Sequence, residues 1–178
     1  MSHAQTSPTA SDLATYLLQK AQQTGDALTL MKLNALLYYA EAWSLAVFDG
    51  ELIREELQAW DHGPVFPSLW ENLKHRGWNT LATDDLSAET RLDSETSSLL
   101  DDVWQAYGEF PLPDLEKMIK QDAPWKEARH GLPAWDLSKK PMSKALMQSF
   151  YKAVFEAGQN APNASTHPVR NTPLGQQY

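Results

Sequence analysis

Apolar residues recur at three- and four-residue steps along most of this chain, and that period predicts helices. Leu13, Ala14, Leu17, Leu18 and Ala21 share one helical face. Ser11 can cap the start of this helix, and Gly25 ends it where a left-handed residue is needed. Thr29 caps a second helix, in which Leu33, Leu36, Leu37, Ala40, Trp43 and Val47 keep the same spacing. Leu30, Met31, Tyr38, Tyr39 and Leu45 widen its apolar face beyond one stripe. Such a helix is expected at the centre of the domain, touched by several neighbours. Asp49-Gly50 stops it.

The period is lost from Glu51 to Trp60, where Leu52, Leu57 and Ala59 suit a short strand or an extended crossing segment. Gly63-Pro64 forces a turn, because the residue before a proline leaves the helical region. A further helix is expected from Pro67 to Arg76, with Leu69, Trp70 and Leu73 inward and Gly77 as its stop. Trp78 to Arg91 is polar and acidic, a loop. Asp93 or Ser94 opens a helix that turns Leu99, Leu100, Val103, Trp104 and Tyr107 inward and ends at Gly108. Asp114 caps Leu115 to Lys120, and Ala123 to Ala128 reads as a turn into a short helix. Gly131 to Lys140 is a loop carrying Pro133 and Trp135. Ser143 caps the last helix, with Ala145, Leu146, Phe150, Val154 and Phe155 as its apolar positions.

The expected fold class is mainly α: a single compact helical domain around a central buried helix, with room for one short extended or β element. Residues 1–10 are small and polar and read as a flexible arm, 11–158 as the helical domain, and 159–178 as a disordered tail. The tail is too poor in apolar side chains to offset its ordering entropy.

Composition narrows the function. The chain has 178 residues, enough for one real core, and 42% of them are hydrophobic, which is ordinary for a soluble globular protein. The formal net charge of -8 argues against direct nucleic-acid binding, which needs clustered Lys and Arg. Cysteine is absent, which removes disulfides, thiolate nucleophiles and cysteine metal cages. No membrane span is expected, since Lys32, Asn34 and Glu41 interrupt the most apolar run. The N-terminus lacks the basic start and long apolar run of a signal peptide, so a cytoplasmic location is expected.

Candidate chemistry centres on Trp60-Asp61-His62-Gly63-Pro64-Val65. An aspartate can orient an imidazole for acid–base work. Adjacent residues in an extended turn point in opposite directions, however, and no nucleophile motif accompanies them. A metal set of His62, His75 and Glu41 has no ligand spacing to support it. No glycine-rich phosphate loop is present, and no cofactor is expected. Seven tryptophans remain. Trp43, Trp70 and Trp104 lie on helical stripes and read as core. Trp60, Trp78, Trp125 and Trp135 lie beside turns, where they serve either as lids over the core or as exposed anchors for a partner.

The run Leu30-Met31-Lys32-Leu33, Leu36-Leu37-Tyr38-Tyr39-Ala40 and Ala42-Trp43 resembles the signature helix of the Panacea antitoxin domain, the SocA-type family. Gly50-Glu51-Leu52, Glu56, Ala59-Trp60 and Gly63-Pro64-Val65 are similar to its continuation. So are Leu99-Leu100-Asp101-Asp102-Val103 with Tyr107-Gly108, and Leu115 with Pro124-Trp125 and Ala128. The likeness runs from Ala10 to Ala157. Asn34, Ala35, Glu41, Gln58 and His62 depart from the family pattern, and such departures bear on partner choice.

The resemblance implies an antitoxin of a bacterial or phage toxin–antitoxin pair, neutralising a cognate protein toxin by direct binding. The founding type instead acts as an adaptor that delivers its toxin to the ClpXP protease, which makes ClpXP a second expected partner. An acidic domain with exposed aromatics is compatible with both roles. The expected partner surface is Trp60, Asp61, His62, Pro64 and Trp125. A reading from another class, a small hydrolase or transferase using His62 with a distant acid, stays open on the residues alone.

Overall fold

The computed structural model describes residues 7–86 and 91–160. Helix α1, Ala10–Thr24, is opened by Thr9 rather than Ser11. The Thr9 hydroxyl accepts from the Asp12 amide at 3.2 Å, and the Asp12 carboxylate accepts from the Thr9 amide at 2.8 Å. This reciprocal box satisfies two orphan donors, whereas a cap at Ser11 would find Ala14 at the reciprocal position. Ala10, expected in the arm, is therefore buried helix, and its amide donates to Glu55 at 3.0 Å. The expectations for residues 1–6 and 161–178 fall outside the described residues. Gly25, at φ 77°, closes α1 with its amide on the Ala21 and Gln22 carbonyls.

Helix α2, Leu30–Val47, is the axis of the molecule: 16 of its 18 residues are buried. Helices α1, α4 (Ser94–Tyr107), α5 (Leu112–Gln121) and α7 (Lys144–Asn160) pack around it. Each fully buried leucine on it contributes roughly 2 kcal/mol through apolar area removed from water. A helix buried on nearly every side has almost no solvent face, so its buried polar residues must find internal partners: the Ser44 hydroxyl donates to the Gly50 carbonyl at 2.9 Å. The Asn34 amide donates to the Leu30 carbonyl at 2.9 Å, and its oxygen accepts the Phe66 amide at 2.9 Å. One Glu41 carboxylate oxygen accepts the Leu52 and Ile53 amides at 3.1 and 2.7 Å. The other lies 3.3 Å from the Lys144 ammonium, which also donates to the Ile53 carbonyl. Asn34, Ala35 and Glu41 are all buried, so these departures from the family pattern act inside the fold, not on a partner.

Beside α2 stands a three-stranded antiparallel sheet of order β2-β1-β3. Strand β1, Gln58–Trp60, pairs with β2, Gly63–Val65, in the register Gln58 with Val65 and Trp60 with Gly63. Asp61-His62 is thus the two-residue loop of a tight hairpin. Gly63, at φ 148°, takes a conformation that side chains rarely adopt, and Pro64, which has no N–H to give a ladder, sits on the edge strand. Strand β3, Lys140–Pro141, covers the other side of β1. The expected single extended element is therefore a small sheet.

The remaining helices follow the period with shifted ends. Helix α3, Pro67–Leu73, passes into a 3-10 turn that ends at Gly77. Helix α5 begins at Leu112, not Leu115, because Pro113 fits a first turn and leaves Asp114 inside the helix. Helix α6, Ala123–Ala128, follows directly. Helix α7 buries Met147 and Tyr151, one turn apart. Phe150, Val154 and Phe155 only flank the core, and Ala145 is exposed. Gln159 and Asn160, expected in the tail, are its last residues.

A buried aromatic belt joins α2, α4 and α7. Tyr39 stacks on Tyr107 with centroids 3.8 Å apart, and the Trp43 indole donates to the Tyr107 hydroxyl at 3.0 Å. Tyr151 donates to the buried Asp122 carboxylate at 2.7 Å. Burial pushes the phenols of Tyr38, Tyr107 and Tyr151 well above their ordinary range, so they remain neutral. Among the described residues no helix is long and apolar enough to cross a membrane.

Candidate partner-binding cleft

The tip of the β1–β2 hairpin forms one wall of an open cleft of about 320 Å³. Trp60 closes β1 and is half-buried. Its indole N–H donates to the Gln58 side-chain oxygen at 2.9 Å, and its ring meets Trp70 of α3 edge-on at 5.1 Å. The Lys139 ammonium sits 4.6 Å from the Trp60 ring centroid. His62 projects from the loop and meets the Trp78 ring edge-on at 5.5 Å. Its Nε2 lies 3.5 Å from the Asp61 carboxylate. The two side chains converge, contrary to the expectation from extended geometry, because both residues belong to the tight loop and not to a strand. An exposed pair at this distance is held weakly.

Met31 and Trp70 supply further lining, and Trp78 and Leu137 stand at the mouth. Trp78 is 64% exposed and Leu137 is 78% exposed, as is Trp135 beside it. An exposed apolar group is unremarkable singly, but a cluster around a concave surface marks a binding site.

The second wall is a strap, residues 131–139, anchored at its far end by β3 and across its length by one buried side chain. Arg129 is buried, and its guanidinium donates to the Ala59 carbonyl of β1 at 3.0 Å. The same group reaches the Pro133, Ala134 and Asp136 carbonyls at 3.2, 3.3 and 2.8 Å. It also lies over the Trp125 ring at 5.6 Å. A planar fork with five N–H donors suits such a set of carbonyls, and it fastens the strap to the sheet.

Of the five expected partner residues, Trp60, Asp61 and His62 line the cleft together. Pro64 is buried on its edge strand, where it shapes the hairpin. Trp125, 6% exposed, is a packing surface for Arg129 and Lys120 and does not line the cleft. Leu137 and Lys139 are not legible in the sequence, because their loop has no period and is brought to the cleft by contacts distant in the chain, through Arg129, the β1–β3 pairing and Trp60. Their one available signal was apolar residues in an otherwise polar loop.

Among the described residues the lining contains no serine, threonine or cysteine beside His62. Glu41 is engaged inside the core while His62 stands at the surface, so the two do not meet as metal ligands. Among the described residues no group of three acidic or histidine side chains is placed to hold a metal.

The sequence model of the SocA-like antitoxins, the Panacea domain, matches residues 30–126. The match begins with α2, takes in the hairpin, Trp70 and Trp78, and ends within α6, before the strap. No curated protein and no solved structure matches the chain. With more than half of its length matched, including the central helix and the hairpin wall of the cleft, the chain belongs to the SocA-like Panacea antitoxin family.

Proposed function

We propose that this protein is a noncatalytic antitoxin that neutralises a cognate protein toxin by direct binding, with the Trp60–Trp78–Leu137 cleft as the contact surface. Membership of the antitoxin family supplies the role. The observation that carries the surface is the large exposure of Trp78 and Leu137 on a clamped concavity. Rigid aromatic side chains around a pocket lose little entropy on binding and form the usual energetic centre of an interface. The proposed meeting place is the cytoplasm.

The test is co-expression of the chain with the reading frame beside it in a growth assay. Growth arrest by that frame alone, relieved by this chain, is the expected result. Failure to relieve arrest sinks the reading. Relief that persists in cells lacking ClpXP identifies blocking by binding, whereas relief that disappears there identifies delivery for degradation. Relief retained by His62→Ala rules out a catalytic requirement for that imidazole.

A further inference from the structure

We infer that the cleft recognises a partner segment in which an aromatic anchor is followed by an acidic side chain. This rests on the proposed toxin-binding role and names the chemistry the same surface selects. The cavity, at the small end of ligand pockets, suits one large side chain better than an extended ligand. Its walls are Trp60, Trp70 and Trp78, whose faces and edges accept another aromatic ring in offset or edge-on geometry.

Charge at the mouth supplies the second half. Acidic residues outnumber basic ones by 23 to 15 along the chain. Yet the strap brings Lys139 to the cleft, exposed, and among the described residues it pairs with no carboxylate. Lys139 rests on Trp60, a contact that leaves ammonium protons for an incoming acceptor. Asp61, the carboxylate in the lining, already faces His62. Lys139 is thus the cation on an otherwise largely apolar lining, on the wall opposite Asp61, and an acidic neighbour of the anchor complements it. Lys139 and Leu137 also lie outside the segment that the family match covers.

The experiment titrates the full chain, with its tryptophan indole nitrogens labelled, with capped tetrapeptides followed by NMR. One peptide carries tryptophan followed by glutamate, one tryptophan followed by lysine, and one alanine followed by glutamate. The first is expected to shift the Trp60 and Trp78 signals and to bind roughly tenfold more tightly than the second, with the third inert. Lys139→Glu is expected to reverse the ranking of the first two, and Trp78→Ala to abolish binding by both. Equal binding of the first two peptides, or no shift at millimolar concentration of any, overturns the inference. Selective peptide binding without rescue of growth leaves the cleft chemistry standing and removes the antitoxin reading. Rescue unaffected by a folded Lys139→Glu variant removes this chemistry from the toxin contact.

Discussion

Glu41→Ala is expected to lower the unfolding free energy by about 3–5 kcal/mol, because it leaves several buried groups without partners. The Leu52 and Ile53 amides lose their acceptor, and Lys144 loses the carboxylate it shares with the core end of α2. Glu41→Gln is expected to cost less, about 1–2 kcal/mol, since an amide oxygen still accepts from the two backbone donors. The comparison also has a pH signature. Burial, opposed by Lys144 and the Ile53 amide, raises the Glu41 pKa above its ordinary 4.5. The folded protein therefore keeps this proton to higher pH than the unfolded chain does. Stability relative to Glu41→Gln falls as pH rises above about 4.5, then levels off once the folded carboxyl has ionised. Urea unfolding of both proteins across that range measures the difference. A difference that grows with pH contradicts the assignment.

Arg129→Ala is the second large effect, and it separates the fold from the surface the fold presents. Removing the guanidinium deletes four hydrogen bonds to carbonyls of β1 and the strap. The expected stability loss is about 2–4 kcal/mol, below the sum of four charged bonds because the strap carbonyls can reach water. Arg129→Lys is expected to rescue little, since a single ammonium cannot span the fork's acceptors. The local effect is larger. Amide hydrogen exchange of residues 132–139 is expected to accelerate strongly while α2 stays protected. Affinity for the toxin is expected to fall by about tenfold or more, as an ordered wall becomes one that must be ordered on binding. Unchanged affinity alongside rapid exchange would exclude the strap from the interface.

The parts of this fold that were legible in the sequence are those written in local periodicity. The apolar faces of α1, α2 and α4 repeat over three or more turns, and caps such as Thr29 and Asp93 mark their starts. Helix α7 was misread because phenylalanines border its stripe on both sides, so Met147 and Tyr151 did not stand out as the buried pair. Strand β3 has two residues, one of them proline, and no alternation to detect. The cleft divides along the same line. Its hairpin wall was visible because Trp60, Asp61, His62 and Gly63-Pro64 are contiguous. Its strap wall depends on Arg129 reaching a carbonyl 70 residues earlier, a contact with no local signal. Trp125 and Pro64 lie beside turns, yet their own side chains are buried.

In the proposed mode of action the exposed rim of this cleft, and not the buried family signature, makes the contact that silences the toxin. Calorimetric titration of the purified toxin with the wild-type chain and with Trp78→Ala/Leu137→Ala tests it most directly. Both side chains are largely solvent-exposed, so their removal is expected to leave Tm nearly unchanged. The variant is expected to bind with a Kd at least about tenfold weaker at that unchanged Tm. The same Kd in a variant that melts with the wild type would contradict it.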